Sequence, residues 1–256
     1  MLDLHSHIAW NIDDGIPCKE DALQALVQAK EDGITAICST PHFVPGQLDQ
    51  QMFDRIRDRQ RELASISDIP IYFGAEIMIN SAFIENLDKH LYQTINDTKY
   101  MLVEYDVCRD IHHIPNIMDP LYEMDVRGYT PVIAHIERYF HQGIDWGIVN
   151  EWKNDGYVLQ INRTSIMGMN GKQVERNAKE LLEHGIGHIV ATDAHRADGH
   201  RVERLSDAYQ RVSEWIDPEN AKLMFVKNPQ SILDGKNLAD IYVKPKKKKR
   251  FCLFRK

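Results

Sequence analysis

The 256 residues carry 31 Lys and Arg against 38 Asp and Glu, a formal net charge of −7, but residues 244–256 (KPKKKKRFCLFRK) hold eight basic side chains and no acidic ones. The first 243 residues therefore stand at −15, and such an acidic body lacks the basic face that a nucleic-acid backbone demands. No apolar run approaches the ~18–20 residues of a membrane span, MLDLHSH has no signal-peptide character, and the four cysteines show no C-x-x-C spacing, so a cytosolic chain without a disulfide framework is expected.

In chain order, the first predicted strand is Leu2–His5. A helix follows over Lys19–Glu31, with Leu23, Leu26 and Val27 on one face and Gly33 as its stop. Strand Ile34–Ser39 comes next. It is followed by a heavily charged surface helix over Gln50–Ile66, whose narrow apolar stripe is Phe53, Ile56 and Leu63. Four more strands are predicted at Ile71–Ala75, Tyr100–Glu104, Pro131–His135 and Tyr157–Ile161. A helix over Lys172–His184, with Val174, Ala178, Leu181 and Leu182 inward and Gly185 after it, leads into strand His188–Thr192. Seven strands alternating with helical segments read as parallel βα units, closed into a barrel or open and doubly wound. No repeat or linker interrupts residues 1–243, and the basic tail over 244–256 is expected to be disordered.

The chemistry gathers where strands end. In DLHSH the i, i+2, i+4 spacing puts Asp3, His5 and His7 on one face, and two imidazoles there can chelate a divalent ion. The pattern recurs: STPH supplies His42, GAE Glu76, LVE Glu104, IAH His135, and TDAH Asp193 and His195. The loop NIDDG adds Asp13 and Asp14. Barrel enzymes place catalytic groups at the C-terminal ends of their strands. Counting one carboxylate of the DDG turn gives five histidines and four carboxylates, too many for one ion and suited to three. The absence of cysteine points to Mn²⁺, Fe²⁺ or Zn²⁺ in a hydrolytic centre.

With DLHSH, DDG, TPH, GAE, LVE, AHIERY and TDAH in this order, residues 1–235 resemble the polymerase-and-histidinol-phosphatase (PHP) superfamily. The opening and AHIERY are similar to its bacterial protein-tyrosine phosphatases of capsule and exopolysaccharide synthesis. The resemblance implies a distorted (β/α)7 TIM-like barrel, a trinuclear centre that usually takes manganese, and hydrolysis of phosphotyrosine on a membrane-bound tyrosine autokinase. Position by position, it puts His5, His7, Glu76 and Asp193 around one ion and Glu76, Glu104 and His135 around a second. Asp14, His42 and His195 surround the third. Asp13 is then a bystander, and Asp3 orients a ligand histidine. Arg138, three residues after His135, offers a planar fork for phosphate oxygens, with a salt bridge to Glu137 as the plainer reading. A second family arginine follows TDAH; Arg201 is the choice here, against Arg196 and Arg204. The arginine-rich loop of some relatives is replaced by FVPGQLDQ.

Other expectations complete the reading. Trp10, Phe43, Tyr105 and Tyr139 are candidates to stack on a phosphotyrosine ring or simply to pack. His112 and His113 are candidates to line the mouth. No cysteine has an arginine six residues later, which rules out the C-x5-R thiol mechanism. The rivals are a histidinol-phosphate or nucleotide phosphatase on the same scaffold and a non-catalytic adaptor. The tail combines basic residues with Phe251, Leu253 and Phe254, which suits peripheral contact with an anionic membrane; a solubilising end is the alternative, and oligomerisation is compatible with the sequence.

Overall fold

The structure is a computed structural model and describes residues 1–244. The tail expected over 244–256, Lys244 apart, lies outside the described residues. The strands are β1 (Leu2–Ser6), β2 (Ala36–Ser39), β3 (His42–Phe43), β4 (Ile71–Phe73), β5 (Glu76–Met78), β6 (Tyr100–Glu104), β7 (Thr130–Ile133), β8 (Val158–Asn162) and β9 (Ile189–Ala191). The helices are α1 (Lys19–Glu31), α2 (Gln50–Ile66), α3 (Phe83–Asp88), α4 (Asp119–Val126), α5 (Trp146–Asn154), α6 (Arg163–Ile166), α7 (Lys172–Glu183), α8 (Ser206–Trp215), α9 (Pro218–Lys222) and α10 (Asn228–Leu233).

All strand pairs are parallel. One sheet runs β1-β2-β4 and the other β3-β5-β6-β7-β8-β9. Hydrogen bonds from Asp193 N to His5 O (2.8 Å) and from His7 N to Ala194 O (2.9 Å) join the chain after β9 to β1. The result is an α/β fold with a curled parallel sheet.

The second and third predicted strands appear as β2 and β4, and each is followed after a break by a short strand beyond the predicted range, β3 and β5. Pro41 has no N–H to give the ladder after β2, and Gly74 interrupts the third strand, where a side chain would meet Cys38 Sγ at 3.1 Å. Gln60 fills the break. It reaches in from α2, fully buried, and donates its amide to Ser39 O and Gly74 O, both at 2.9 Å. The predicted stripe of Phe53, Ile56 and Leu63 is buried beside it. On α1 only Leu26 of the expected face is buried. Ala22, Ala25, Leu26 and Ala29 are buried, while Leu23 and Val27 are exposed, so the buried face is mostly alanine.

Candidate metal centre

Most predicted donors sit at the C-terminal end of a strand or in the loop beyond it, while His42 and Glu76 open the short strands β3 and β5, just after β2 and β4; the bends at the later strand ends are built in. His135 follows β7 with φ 34° and Asp193 follows β9 with φ 53°. Left-handed backbone at non-glycine residues costs on the order of 1–3 kcal/mol each and persists where the surroundings over-determine it. The turns swing both side chains over the mouth of the sheet, towards the donors of β1, β3, β5 and β6.

Three overlapping sets of donors result, each with its atoms within 4.8 Å of one another: His5, His7, Glu76 and Asp193; His7, Asp14, His42 and His195; and His42, Glu76 and Glu104. The first is the set the resemblance implies. The others differ in membership. His7 joins Asp14, His42 and His195, and His42 joins Glu76 and Glu104, with one ring nitrogen towards each set: Nε2 lies 3.4 Å from Asp14 Oδ1 and Nδ1 3.2 Å from Glu76 Oε2. His135 Nε2 lies 3.0 Å from Glu76 Oε1 and 3.5 Å from Glu104 Oε2. Glu76 is the hub, nearly fully buried, with one oxygen 3.0 Å from both His5 Nε2 and His7 Nε2.

The orientation of the rings tests whether cations fit. His5 Nδ1 faces Gln160 Oε1 at 2.9 Å, His7 Nδ1 faces Asp13 Oδ2 at 2.7 Å, and His195 Nδ1 faces Asp193 O at 3.0 Å. Each partner is an acceptor, so each Nδ1 carries a proton and each Nε2 turns inward as a donor atom for a cation. Two of these inward nitrogens, on His5 and His7, stand 3.2 Å apart. Burial alone would push His5 down, yet the Glu76 and Asp193 carboxylates push it up to about 9. Against burial, Glu76, Asp14 and Glu104 push His42 up to about 12. Glu76 is held well below the usual carboxylate range, with His5 and His42 outweighing its burial. A cage this acidic draws in positive charge, which protons or cations supply, and divalent ions fit the donor set by displacing those protons.

Arg138 and Arg201 approach Asp193 from two sides. Arg138 Nη1 is 3.5 Å from Asp193 Oδ2, and Arg201 Nη2 is 2.7 Å from Asp193 Oδ1 and 3.0 Å from His195 Nε2. Both line a cavity of about 270 Å³ together with Asp14, His42, Glu76, Glu104, His135, Asp193 and His195. Arg196 instead donates to the carbonyls of Asp14, Gly15 and His195, and Arg204 points to Asp32 at 4.0 Å. The plainer reading of Arg138 fails: Glu137 is fully buried and accepts from Asn162 N. Asp3 does not touch an imidazole; it accepts from the backbone of His5 and Thr192. None of the four aromatics faces the cavity. Phe43, Tyr105 and Tyr139 are fully buried, and Trp10 is covered by Arg59, 4.5 Å from its ring centre. His112 is held between Asp110 and Asp145, and neither it nor His113 lines the cavity.

Three residues at the site escaped the sequence reading. Asp13, read as a bystander, accepts from His7 Nδ1, His42 N and Gly15 N. Gln160 and Asn162 stand behind His5 and Asp193 on β8. Their signal was the polar i, i+2 pair at the end of a buried strand.

A family model described as "Capsular polysaccharide synthesis, CpsB/CapC" matches residues 1–234. The chain belongs to the CpsB/CapC family. Within it, the chain is 32% identical over 248 residues to the tyrosine-protein phosphatase CpsB of Streptococcus pneumoniae, covering 91% of this chain and 98% of that one. It is 29% identical over 235 residues to the tyrosine-protein phosphatase YwqE of Bacillus subtilis, covering 88% and 91%. Its fold superposes with a TM-score of 0.77, at 26% identity and over 96% and 98% of the two chains, on a structure from the crystallographic work on YwqE and S. pneumoniae CpsB, described there as unique metal-dependent tyrosine phosphatases. Among the described residues of this CpsB/CapC chain, no helix is long and apolar enough to cross a membrane.

Proposed function

We propose that this chain is a metal-dependent protein-tyrosine phosphatase acting on a tyrosine autokinase of capsule or exopolysaccharide synthesis. The observation that carries the proposal is the overlap of three donor sets beside one small cavity that two guanidinium groups line. In this reading residues 1–243 are a single distorted (β/α)7 barrel, with the interrupted β2/β3 and β4/β5 pairs counted as one strand each. His5, His7, Glu76 and Asp193 hold one divalent ion, Glu76, Glu104 and His135 a second, and Asp14, His42 and His195 a third, with His7 and His42 close enough to be shared. Manganese is the first choice for a set of nitrogen and carboxylate oxygen donors, with iron or zinc as alternatives.

When bound, divalent ions lower the pKa of water towards neutrality and offset the charge of phosphate oxygens. The chain's own residues do the rest. Arg138 and Arg201 present N–H forks to the phosphate from opposite sides of Asp193, and each can hold two oxygens. The buried Asp193 carboxylate holds both guanidinium groups before substrate arrives, so little reorganisation is left for the reaction. A tyrosyl leaving group, with a pKa near ~10, departs without a strong general acid. At the rim, Met78 and Asp106 also line a neighbouring groove of about 670 Å³ with Ile79, Tyr105, Arg109, Ile114 and Pro115. The substrate residues beside the phosphotyrosine lie along it. The tail, with its basic and apolar residues, keeps the enzyme near an anionic membrane where its kinase resides; deletion of 244–256 should reduce co-sedimentation with anionic vesicles.

The test is parallel turnover by the Mn²⁺-loaded protein of a tyrosine-phosphorylated peptide, histidinol phosphate and a nucleotide monophosphate. Turnover of the peptide is expected to dominate. Activity confined to either of the others would overturn the reading.

A further inference from the structure

We propose that Gln160 and Asn162 form an amide relay that sets which nitrogen of His5 faces the metal centre and ties that choice to the position of Asp193. The inference rests on the metal-dependent reading above. Both residues lie on β8, two apart, so their side chains leave the same face of the strand, and both are fully buried.

An amide can usually be turned end for end without changing its shape, but here both ends of the relay are fixed. Asp193 Oδ2 only accepts, so the Asn162 atom 2.7 Å from it is the NH₂. Asn162 Oδ1 then faces Gln160 at 2.5 Å and requires the Gln160 NH₂ there. That leaves Gln160 Oε1 towards His5. At the other end the backbone N–H of His135, which only donates, points to the same oxygen at 3.3 Å. The two ends give one answer. Gln160 Oε1 accepts the His5 Nδ1 proton at 2.9 Å, and His5 Nε2 is turned to Glu76. A further bond from Asn162 N to Glu137 Oε1 at 3.0 Å anchors the middle of the relay.

Gln160 and Asn162 are therefore positioning residues. Without Asn162, Gln160 loses the partner that holds its NH₂ away from His5. Without Gln160, the imidazole has no acceptor at Nδ1 and its tautomer is free. Because the two act in series, loss of either should remove most of the effect, and loss of both should add little.

The test uses the full chain with Gln160→Met, Asn162→Leu and the double variant. Mn²⁺ affinity is measured by calorimetry, and steady-state kinetics on an aryl phosphate are measured at saturating Mn²⁺. Each single variant should bind Mn²⁺ about 10–100-fold more weakly, the range for partners that orient a ligand histidine. The double variant should stay within about threefold of the weaker single one, and KM should move less than about twofold. In the Zn²⁺-loaded unreplaced protein, long-range ¹H–¹⁵N correlation of the histidine rings should show the His5 proton on Nδ1. Unchanged affinity in either variant, losses that multiply in the double variant, or a proton on Nε2 would each overturn the relay. The spectrum needs no variant, so the inference stays testable if a replacement does not fold. A protein that binds Mn²⁺ but turns over no phosphate ester would overturn the phosphatase reading alone, since the affinity and tautomer arms would still decide the relay.

Discussion

Asp13→Asn probes the site at the residue the sequence reading passed over. Three N–H donors converge on this carboxylate: His7 Nδ1 at 2.7 Å and His42 N at 2.9 Å on one oxygen, and Gly15 N at 2.9 Å on the other. Asparagine keeps the shape but has one acceptor oxygen. Turned to serve His7 and His42, it sets an NH₂ against Gly15 N. The Gly15 turn has little room to adjust, since a side chain at Gly15 would meet His7 O at 2.4 Å. Losing one bond to a charged acceptor costs about 1.5–3 kcal/mol, or a fall of roughly 3–12 °C in melting temperature for a chain of this size. The two bonds that remain weaken as their acceptor loses its charge. His7 Nε2 is then less basic, and Mn²⁺ affinity should fall about 10–100-fold, equivalent to roughly 1.4–2.8 kcal/mol. Calorimetric titration with Mn²⁺, paired with aryl phosphate turnover at saturating metal, separates the affinity loss from any loss in kcat, which should be smaller. Wild-type affinity in a folded Asp13→Asn protein would refute the reasoning and reduce Asp13 to a turn residue.

Other outcomes follow from the same geometry. Arg138→Lys and Arg201→Lys should each lower kcat/KM for an aryl phosphate by about 10²–10³, the usual loss for one charge-stabilising donor, while Arg204→Lys, which points away to Asp32, should stay within about twofold. In the groove beside the site, Ile114→Glu should raise KM for a phosphotyrosyl peptide about fivefold or more and leave aryl phosphate kinetics unchanged, because it removes apolar contact without touching the cavity. Away from the site, His188 Nδ1 accepts from Leu159 N at 3.0 Å, and burial, helped by Lys153, lowers its pKa to about 4. Because its folded value is below its unfolded one, its stabilising effect is complete above about pH 6.5 and fades by at most about 3 kcal/mol as pH falls to 4. Urea melts in chelator at pH 4.5 and 7 should show a smaller difference for His188→Asn, which cannot titrate but can still accept from Leu159.

Candidate donors could be named from the chain because carboxylates and imidazoles recur at or just after its β-runs, but their grouping could not, since His7 and His42 each join a set that the resemblance did not give them. Helices Lys19–Glu31 and Gln50–Ile66 were legible for a similar reason, since their punctuation is local. What escaped depends on contacts between distant segments. Nothing local marks Gln60 as the polar plug between β2 and β4, or separates Arg201 from Arg196. The latter choice is made by loop closure, in which His195 N and Arg196 N both donate to Arg201 O at 2.9 Å. The aromatics beside the motifs were ambiguous because adjacency in sequence says nothing about which side of the strand is wet. In the layer behind the donors, the residues that decide are those whose hydrogen-bond direction is forced from elsewhere. Asn162 is oriented by Asp193, 31 residues away, and Gln160 by the backbone of His135, 25 residues away. Charge selects what faces the ions, but backbone N–H groups and carboxylate oxygens, each of one fixed polarity, select how it faces them. Those groups acquire partners only when the sheet has curled, so the candidate donors can be named along the chain while their grouping and orientation are products of the fold.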